Sequence, residues 1–245
     1  MPDPAPNAEL LRSLGRLVRG LSALFWGLPA ALVICVGTAS AGWFRAYGMA
    51  PALAVMALLF FGVWQLGHFQ KQERPWRNAL DLALLLSLIN TGLSPFLYWW
   101  SRVPDQPVFS VSIRLLAASG LLFVWSLNIV LRRLGEMLPD ETLRQETRQF
   151  TALNRLLLVA LLALLTIYLV VLPAIQRFYL PSANHSYHFD LLDTQVAIPI
   201  LGLQFNGAWL LWLVFCLLAL LPIAMTMALL WKTKEVILDS VFGGK

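Results

Sequence analysis

The stretch LALLLSLINTGLSPFLYWW, residues 82–100, decides the fold, because it contains no Asp, Glu, Lys, Arg or His. At the helical rise of about 1.5 Å per residue, a run of this length crosses the roughly 30 Å hydrocarbon core of a bilayer. Five further runs also lack these residues, and together the six predict an all-α membrane protein, a six-transmembrane-helix bundle. The predicted spans are residues 21–42, 50–67, 82–100, 115–131, 156–176 and 207–231.

The composition agrees with this fold class, since 59% of the 245 residues are hydrophobic and the mean hydropathy is +0.71. The spans leave no loop large enough for a separate soluble domain, so we expect residues 1–245 to form a single polytopic membrane domain. In lipid the backbone must satisfy its hydrogen bonds internally, which a helix achieves. The composition excludes an ordinary water-soluble domain.

The basic residues orient the predicted bundle. Fourteen of the eighteen Lys and Arg residues fall on one side of the spans, and only Arg45, Arg102, Arg114 and Arg177 fall on the other. Cytoplasmic loops carry an excess of basic residues, so we expect both termini in the cytoplasm and the protein in the cell membrane. The net charge of +5 therefore reflects topology in a lipid bilayer, and we expect no nucleic-acid partner.

An amphipathic pattern precedes the first span, within a cytoplasmic tail formed by residues 1–20. Apolar residues recur at helical spacing over residues 7–20 while three arginines take the other face, which predicts an interfacial helix on the inner leaflet. The basic leader and the small residues Ala39-Ser40-Ala41 are also typical of a cleaved signal peptide. The length of the apolar run and the amphipathic helix before it favour a retained first span.

The connection between the fourth and fifth spans is the largest predicted cytoplasmic element. Pro139 and Asp140 are typical of a helix start, and the charged sequence after them predicts a helix that runs without a break into the fifth span. Its mixed charges are what a solvated helix face carries. Residues 7–20 and 139–153 are the two segments at which a membrane or cytoplasmic protein partner would dock.

The outer side carries the longest stretches without a helical pattern. Residues 108–114 (VFSVSIR) alternate apolar and polar side chains, and residues 187–191 of the outer loop 177–206 do the same. This alternation is typical of half-buried strands. It predicts a small extracytoplasmic cap in which these segments pack together, with short β segments as one possible form.

A polar cluster in the outer loop contains His185, His188 and Asp190, residue types that bind metal ions. In an extended segment, however, His185 and His188 point to opposite faces, because the side-chain period of a strand is two. A polar loop whose carboxylates pair with arginine accounts better for the cluster. We therefore predict no metal site and no cofactor, and keep these residues as weak metal candidates.

The third span contains a candidate binding site. Pro and Gly within Asn90-Thr91-Gly92-Leu93-Ser94-Pro95 can kink or unwind a helix, and the freed carbonyls, Asn90, Thr91 and Ser94 would then bind a small molecule or ion. Arg114 follows a short turn and lies near the outer end of this break. The alternative is a packing kink in which Asn90 is hydrogen-bonded to a neighbouring helix, as we also expect for Asn128.

These patterns rank three functions. The first is a non-enzymatic membrane protein that acts as a subunit, scaffold or assembly factor through partner binding, because its apolar spans offer little beyond packing. The second is a small permease or channel for a neutral or anionic solute, with its site at the broken third span. The third is a membrane enzyme with an outer site at His185, His188 and Asp190, although the sequence contains none of the common catalytic motifs.

Overall fold

The computed structural model of the protein describes residues 4–41, 44–69, 73–103, 106–137, 141–167 and 207–242. Over these residues the chain is helical and contains no β-strand. Two short irregular helices, the π-helix Gly37–Ala41 and the 3-10 helix Arg45–Tyr47, lie between the first two long ones. The six long helices are α1 (Pro4–Val36), α2 (Ala50–Leu66), α3 (Arg74–Arg102), α4 (Pro107–Met137), α5 (Glu141–Thr166) and α6 (Gly207–Phe242).

Several of these helices are long and apolar enough to cross a membrane. Within the described residues, four segments meet that requirement of length and composition, and α2 is a shorter apolar helix of 17 residues. Large apolar side chains such as Leu88, Leu115 and Leu156 are more than half exposed on the outside of the bundle. Water-soluble proteins rarely expose so much apolar surface, whereas lipid tails solvate it. The architecture is that of a membrane helical bundle.

Five of the six long helices extend beyond the predicted spans at one or both ends. Helix α2 coincides with the predicted second span, and α3, α4 and α6 extend past their predicted ends. The predicted interfacial helix 7–20 is not a separate element, because α1 runs from Pro4 to Val36 without interruption. In the part of this segment whose side chains the structure describes, Leu17 is fully buried and Leu14 and Val18 pack against the core.

The strand predicted for residues 108–114 is wrong, because these residues form the first two turns of α4. Pro107 occupies the first helical position, where its missing N–H is harmless and its fixed φ suits the helix. The Ser112 hydroxyl donates a hydrogen bond to the Val108 carbonyl oxygen at 2.8 Å, within the helix. Alternating polarity over so few residues did not distinguish strand from helix. The rest of the predicted cap, residues 177–206, lies outside the described residues.

The bundle is built from helices that are neighbours in sequence. Each helix packs against the next, α6 returns to α1, and α4 also contacts α6. Short connections between α2, α3, α4 and α5 make these successive helices antiparallel. Helices α1 and α2 are antiparallel too, since Gly20 lies against Gly62 and Gly27 against Leu59. The buried residues of α3 recur at alternating steps of four and three residues, which gives one continuous packing stripe. Those residues are Trp76, Leu80, Ala83, Ser87, Asn90, Ser94 and Leu97.

Glycines allow α1 and α2 to approach closely. A Cβ atom added to Gly20 would lie 2.8 Å from the Gly62 carbonyl oxygen, and one added to Gly27 would lie 2.7 Å from a methyl carbon of Leu59. In lipid, helices associate through van der Waals packing rather than a hydrophobic driving force, so close approach at small residues is a main source of attraction. Gly20, Gly27 and Gly62 therefore fix the distance between the first two helices.

Candidate functional site

An apolar cavity of about 400 Å³ lies between the helices and opens to the outside of the bundle, and every one of the six helices contributes to its lining. Its volume falls within the range of about 300–1,000 Å³ that is usual for small-molecule sites. Leu28 and Leu59 line it from α1 and α2, Leu116 from α4, and Leu161 from α5. Such a lining offers dispersion contacts to an apolar molecule but nothing that would compensate a buried charge.

Among the described residues that line the cavity, Asn90 is the one with an amide side chain. It lies on the buried stripe of α3 and is only 3% exposed. Its Oδ1 atom accepts a hydrogen bond from the Ser119 hydroxyl of α4, which confirms the predicted bond to a neighbouring helix. The Nδ2 atom of the same amide is a hydrogen-bond donor on the lining of the cavity.

The expected break in the third span is not present, because α3 is continuous through Gly92 and Pro95. A proline at position 95 cannot donate to the Thr91 carbonyl oxygen four residues earlier. The Ser94 hydroxyl donates to that same oxygen at 2.9 Å, and the Thr91 hydroxyl donates to the Ser87 carbonyl at 2.8 Å. Side-chain hydroxyls thus satisfy the freed backbone group, and the helix does not need to unwind.

The four predicted site residues do not converge on one ligand position. Asn90 lines the cavity, whereas Thr91 and Ser94 use their hydroxyls within α3 and are absent from the lining. Arg114 is exposed on α4 and does not line the cavity either. Of the four predicted residues, Asn90 lines the cavity, and the rest of the described lining consists of apolar residues from all six helices.

A buried network of amides and hydroxyls connects α4, α5 and α6 beside this cavity. Asn154 Nδ2 lies 3.0 Å from Asn128 Oδ1 and 2.9 Å from Thr226 Oγ1, and Thr226 donates to the Pro222 carbonyl oxygen at 2.7 Å. Asn128 Nδ2 lies 3.0 Å from Thr226 Oγ1, which confirms the interhelical bond predicted for Asn128. Pro222 also lines the cavity, so the network stabilises one part of the cavity wall.

Asn154 is the residue that the sequence prediction missed, because the fifth span was placed at 156–176 and Asn154 fell outside it. In the structure α5 is buried from Thr147 onwards, on a stripe that includes Thr151, Asn154, Leu158 and Leu161. These positions alternate in steps of four and three residues, as on α3. This spacing was present in the sequence and would have placed Asn154 on the buried face.

The predicted docking element 139–153 is partly described. Its helix does run without a break into the fifth span, as expected, since α5 extends from Glu141 to Thr166. Pro139 and Asp140 lie outside the described residues. On the described part, Thr147 and Thr151 face the bundle, while Phe150 and Leu153 are exposed.

The weak metal candidates His185, His188 and Asp190 lie outside the described residues. Within the ranges that the structure does describe, no three His, Cys, Asp or Glu side chains are grouped as metal ligands.

Comparison of the chain with protein-family models, with curated proteins and with solved structures finds no match. The functional interpretation therefore rests on the cavity, the polar network and the charges of this chain.

Proposed function

We propose that this protein is a non-enzymatic, six-span protein of the cell membrane, with both termini in the cytoplasm, and that it binds a neutral, lipid-like molecule inside its bundle. The observation that carries the proposal is the cavity of about 400 Å³, which is lined by all six helices and has Asn90 as the one amide among its described lining residues. A mostly apolar pocket with very few polar groups is typical of sites for apolar or amphipathic ligands.

The lining also restricts the ligand. A charged molecule would lose its hydration in this cavity without gaining an ion pair, because Arg114 is exposed and lies outside the lining. The Asn90 Nδ2 donor suits one hydroxyl or carbonyl oxygen on an otherwise apolar ligand. If the protein is instead a permease, the same lining favours a neutral solute and does not support an anionic one.

Action as a subunit, scaffold or assembly factor is the second candidate function. It is favoured by Phe150 and Leu153, two exposed apolar residues on the part of α5 that is predicted to extend into the cytoplasm. Exposed apolar residues in water are candidate contacts for a protein partner. The described part of the element 7–20 supports this function less, because Leu17 is already buried within the bundle.

Filling the cavity with a side chain tests the ligand proposal. Gly120 lines the cavity, and a Cβ atom added there meets no atom within 4 Å, so Gly120→Phe places a ring in open space. Gly92→Phe is the matched control, since Gly92 is equally open but exposed on α3 and absent from the lining. The probe is a long-chain fatty alcohol that bears a photoreactive diazirine, applied to the purified protein in mild detergent.

We expect saturable labelling of peptides from α3 and α4 in the natural chain and in Gly92→Phe, and loss of that labelling in Gly120→Phe. Replacement of Asn90 with Leu removes the donor and is expected to weaken labelling by the alcohol more than labelling by the corresponding alkane. Equal labelling of all variants, or labelling of exposed residues alone, would contradict the cavity proposal and favour the exposed α5 face as the functional element.

A further inference from the structure

A second, polar pocket lies between α4 and α5, separate from the apolar cavity. Its volume is about 110 Å³, and three of its six lining residues are arginines. Two of them come from α4 and the third from α5, so the pocket exists only where these helices meet. The lining residues are Asn128, Ile129, Arg132, Arg133, Thr151 and Arg155.

The positive charge of this pocket is only partly neutralised. Arg132 Nε and Arg133 Nη1 each lie 3.0 Å from a carboxylate oxygen of Glu136, so one acid is shared by two bases. Arg155 has no carboxylate partner among the described residues. Three guanidinium groups and one carboxylate therefore leave an excess of positive charge on the described walls of the pocket.

Arg155 is held in place by an aromatic ring, but one of its hydrogen-bond donors lacks an acceptor among the described residues. Its guanidinium carbon lies 5.3 Å from the centre of the Trp125 ring, a cation–π contact that fixes the side chain. Its Nε atom is buried and has no hydrogen-bond acceptor among the residues that the structure describes. A buried donor of a charged group costs free energy unless an acceptor reaches it.

We infer that this pocket binds a phosphate group, carried either by an anionic phospholipid or by a soluble phosphate compound. Phosphate oxygens match the planar fork of a guanidinium group, and an anion would offset the excess charge of the three arginines. On the predicted topology the pocket lies at the cytoplasmic ends of α4 and α5. Basic pockets between membrane helices on that side are typical sites for phospholipid head groups.

The test compares two arginines of the same helix. Arg155→Gln removes the charge from the pocket, and Arg148→Gln removes an exposed charge that does not line it. The purified full-length protein in mild detergent is titrated with phosphatidylglycerol, with phosphatidylcholine and with inorganic phosphate, and the bound species are counted by native mass spectrometry. Circular dichroism verifies folding, and Arg132→Gln, at a side chain that is 39% exposed, provides a second variant.

We expect the natural chain and Arg148→Gln to retain phosphatidylglycerol in preference to phosphatidylcholine. Arg155→Gln should retain it about fivefold less strongly, and Arg132→Gln should be weakened in the same direction. Displacement of the lipid by millimolar inorganic phosphate would identify a soluble phosphate as the natural source, and no displacement would identify the lipid. Equal retention of both lipids, together with no binding of inorganic phosphate, would overturn the inference.

Discussion

Asn154 shows at the scale of one residue how a polar side chain organises an apolar bundle. It is fully buried, and its Nδ2 atom lies within hydrogen-bonding distance of side-chain atoms of Asn128 and Thr226 and of the Pro222 carbonyl oxygen at 3.2 Å. Interhelical hydrogen bonds in membranes contribute on the order of 1 kcal/mol, because the separated helices also find partners. A residue that takes part in several of these hydrogen bonds is expected to contribute somewhat more to the free energy of unfolding.

Replacing Asn154 with Leu is therefore expected to lower the free energy of unfolding by about 1–2 kcal/mol, since it leaves the Asn128 oxygen without a donor. The measurement is a reversible unfolding titration in mixed detergent micelles. Gln149→Leu is the control on the same helix, because Gln149 is exposed and takes no part in the network. A loss of the same size in both variants would contradict a specific role for the network.

The contact between α1 and α2 belongs to the scale of the element. In a helix exposed to solvent or lipid, Gly→Ala is usually stabilising by up to about 1 kcal/mol, because alanine has the higher helix propensity. At Gly20 the added Cβ atom would lie 2.8 Å from the backbone oxygen of Gly62, which cannot move aside as a flexible side chain does. Steric overlap of this kind costs about 1–3 kcal/mol and outweighs the propensity gain.

Gly20→Ala should therefore lower the melting temperature in detergent, while Gly15→Ala on the same helix should leave it unchanged or raise it. Gly15 is exposed, and a Cβ atom added there meets nothing within 4 Å. The same substitution on the same helix is thus expected to lower the melting temperature at position 20 but not at position 15. Stabilisation by both variants would show that α1 and α2 do not depend on this close contact.

At the scale of the whole molecule, the distribution of basic residues predicts that both termini lie in the cytoplasm. Glu73 and Gln106 are exposed and lie in connections at opposite ends of α3, so single cysteines at these positions report the two sides. Cys35 and Cys216 are first replaced with Ala. With a membrane-impermeant maleimide, Gln106→Cys should react in intact cells and Glu73→Cys only after permeabilisation. The reverse pattern would invert the predicted topology.

Much of the fold was predictable because the relevant signals are local. A run of about twenty residues without charged side chains indicates a membrane-spanning helix. The observed α2 matches its predicted span closely. The strand predicted at 108–114 was wrong because alternation over seven residues is too short to define a period. The break predicted at Pro95 was wrong because the sequence pattern did not reveal that the Ser94 hydroxyl replaces the missing donor.

The candidate site was less predictable. Asn90 and Asn128 were recognised because polar residues in apolar runs stand out, and both bond to neighbouring helices in the structure. Arg155 was interpreted only as a topological charge, since its contact with Trp125 brings together residues of two different helices. Hydropathy and charge report where a residue lies along the membrane normal, but not which residues of other helices surround it.

By itself, the sequence determined the helical class of this protein, the approximate positions of its apolar helices and two of its buried amides, Asn90 and Asn128. Hydropathy and backbone hydrogen bonding act within one segment, and segments can be recognised one at a time. Only the tertiary structure decided which polar groups meet, as with Asn128 and Thr226, which are 98 positions apart. The cavity also depends on the tertiary structure, because its wall contains residues from all six helices. The space between helices is set by how they pack.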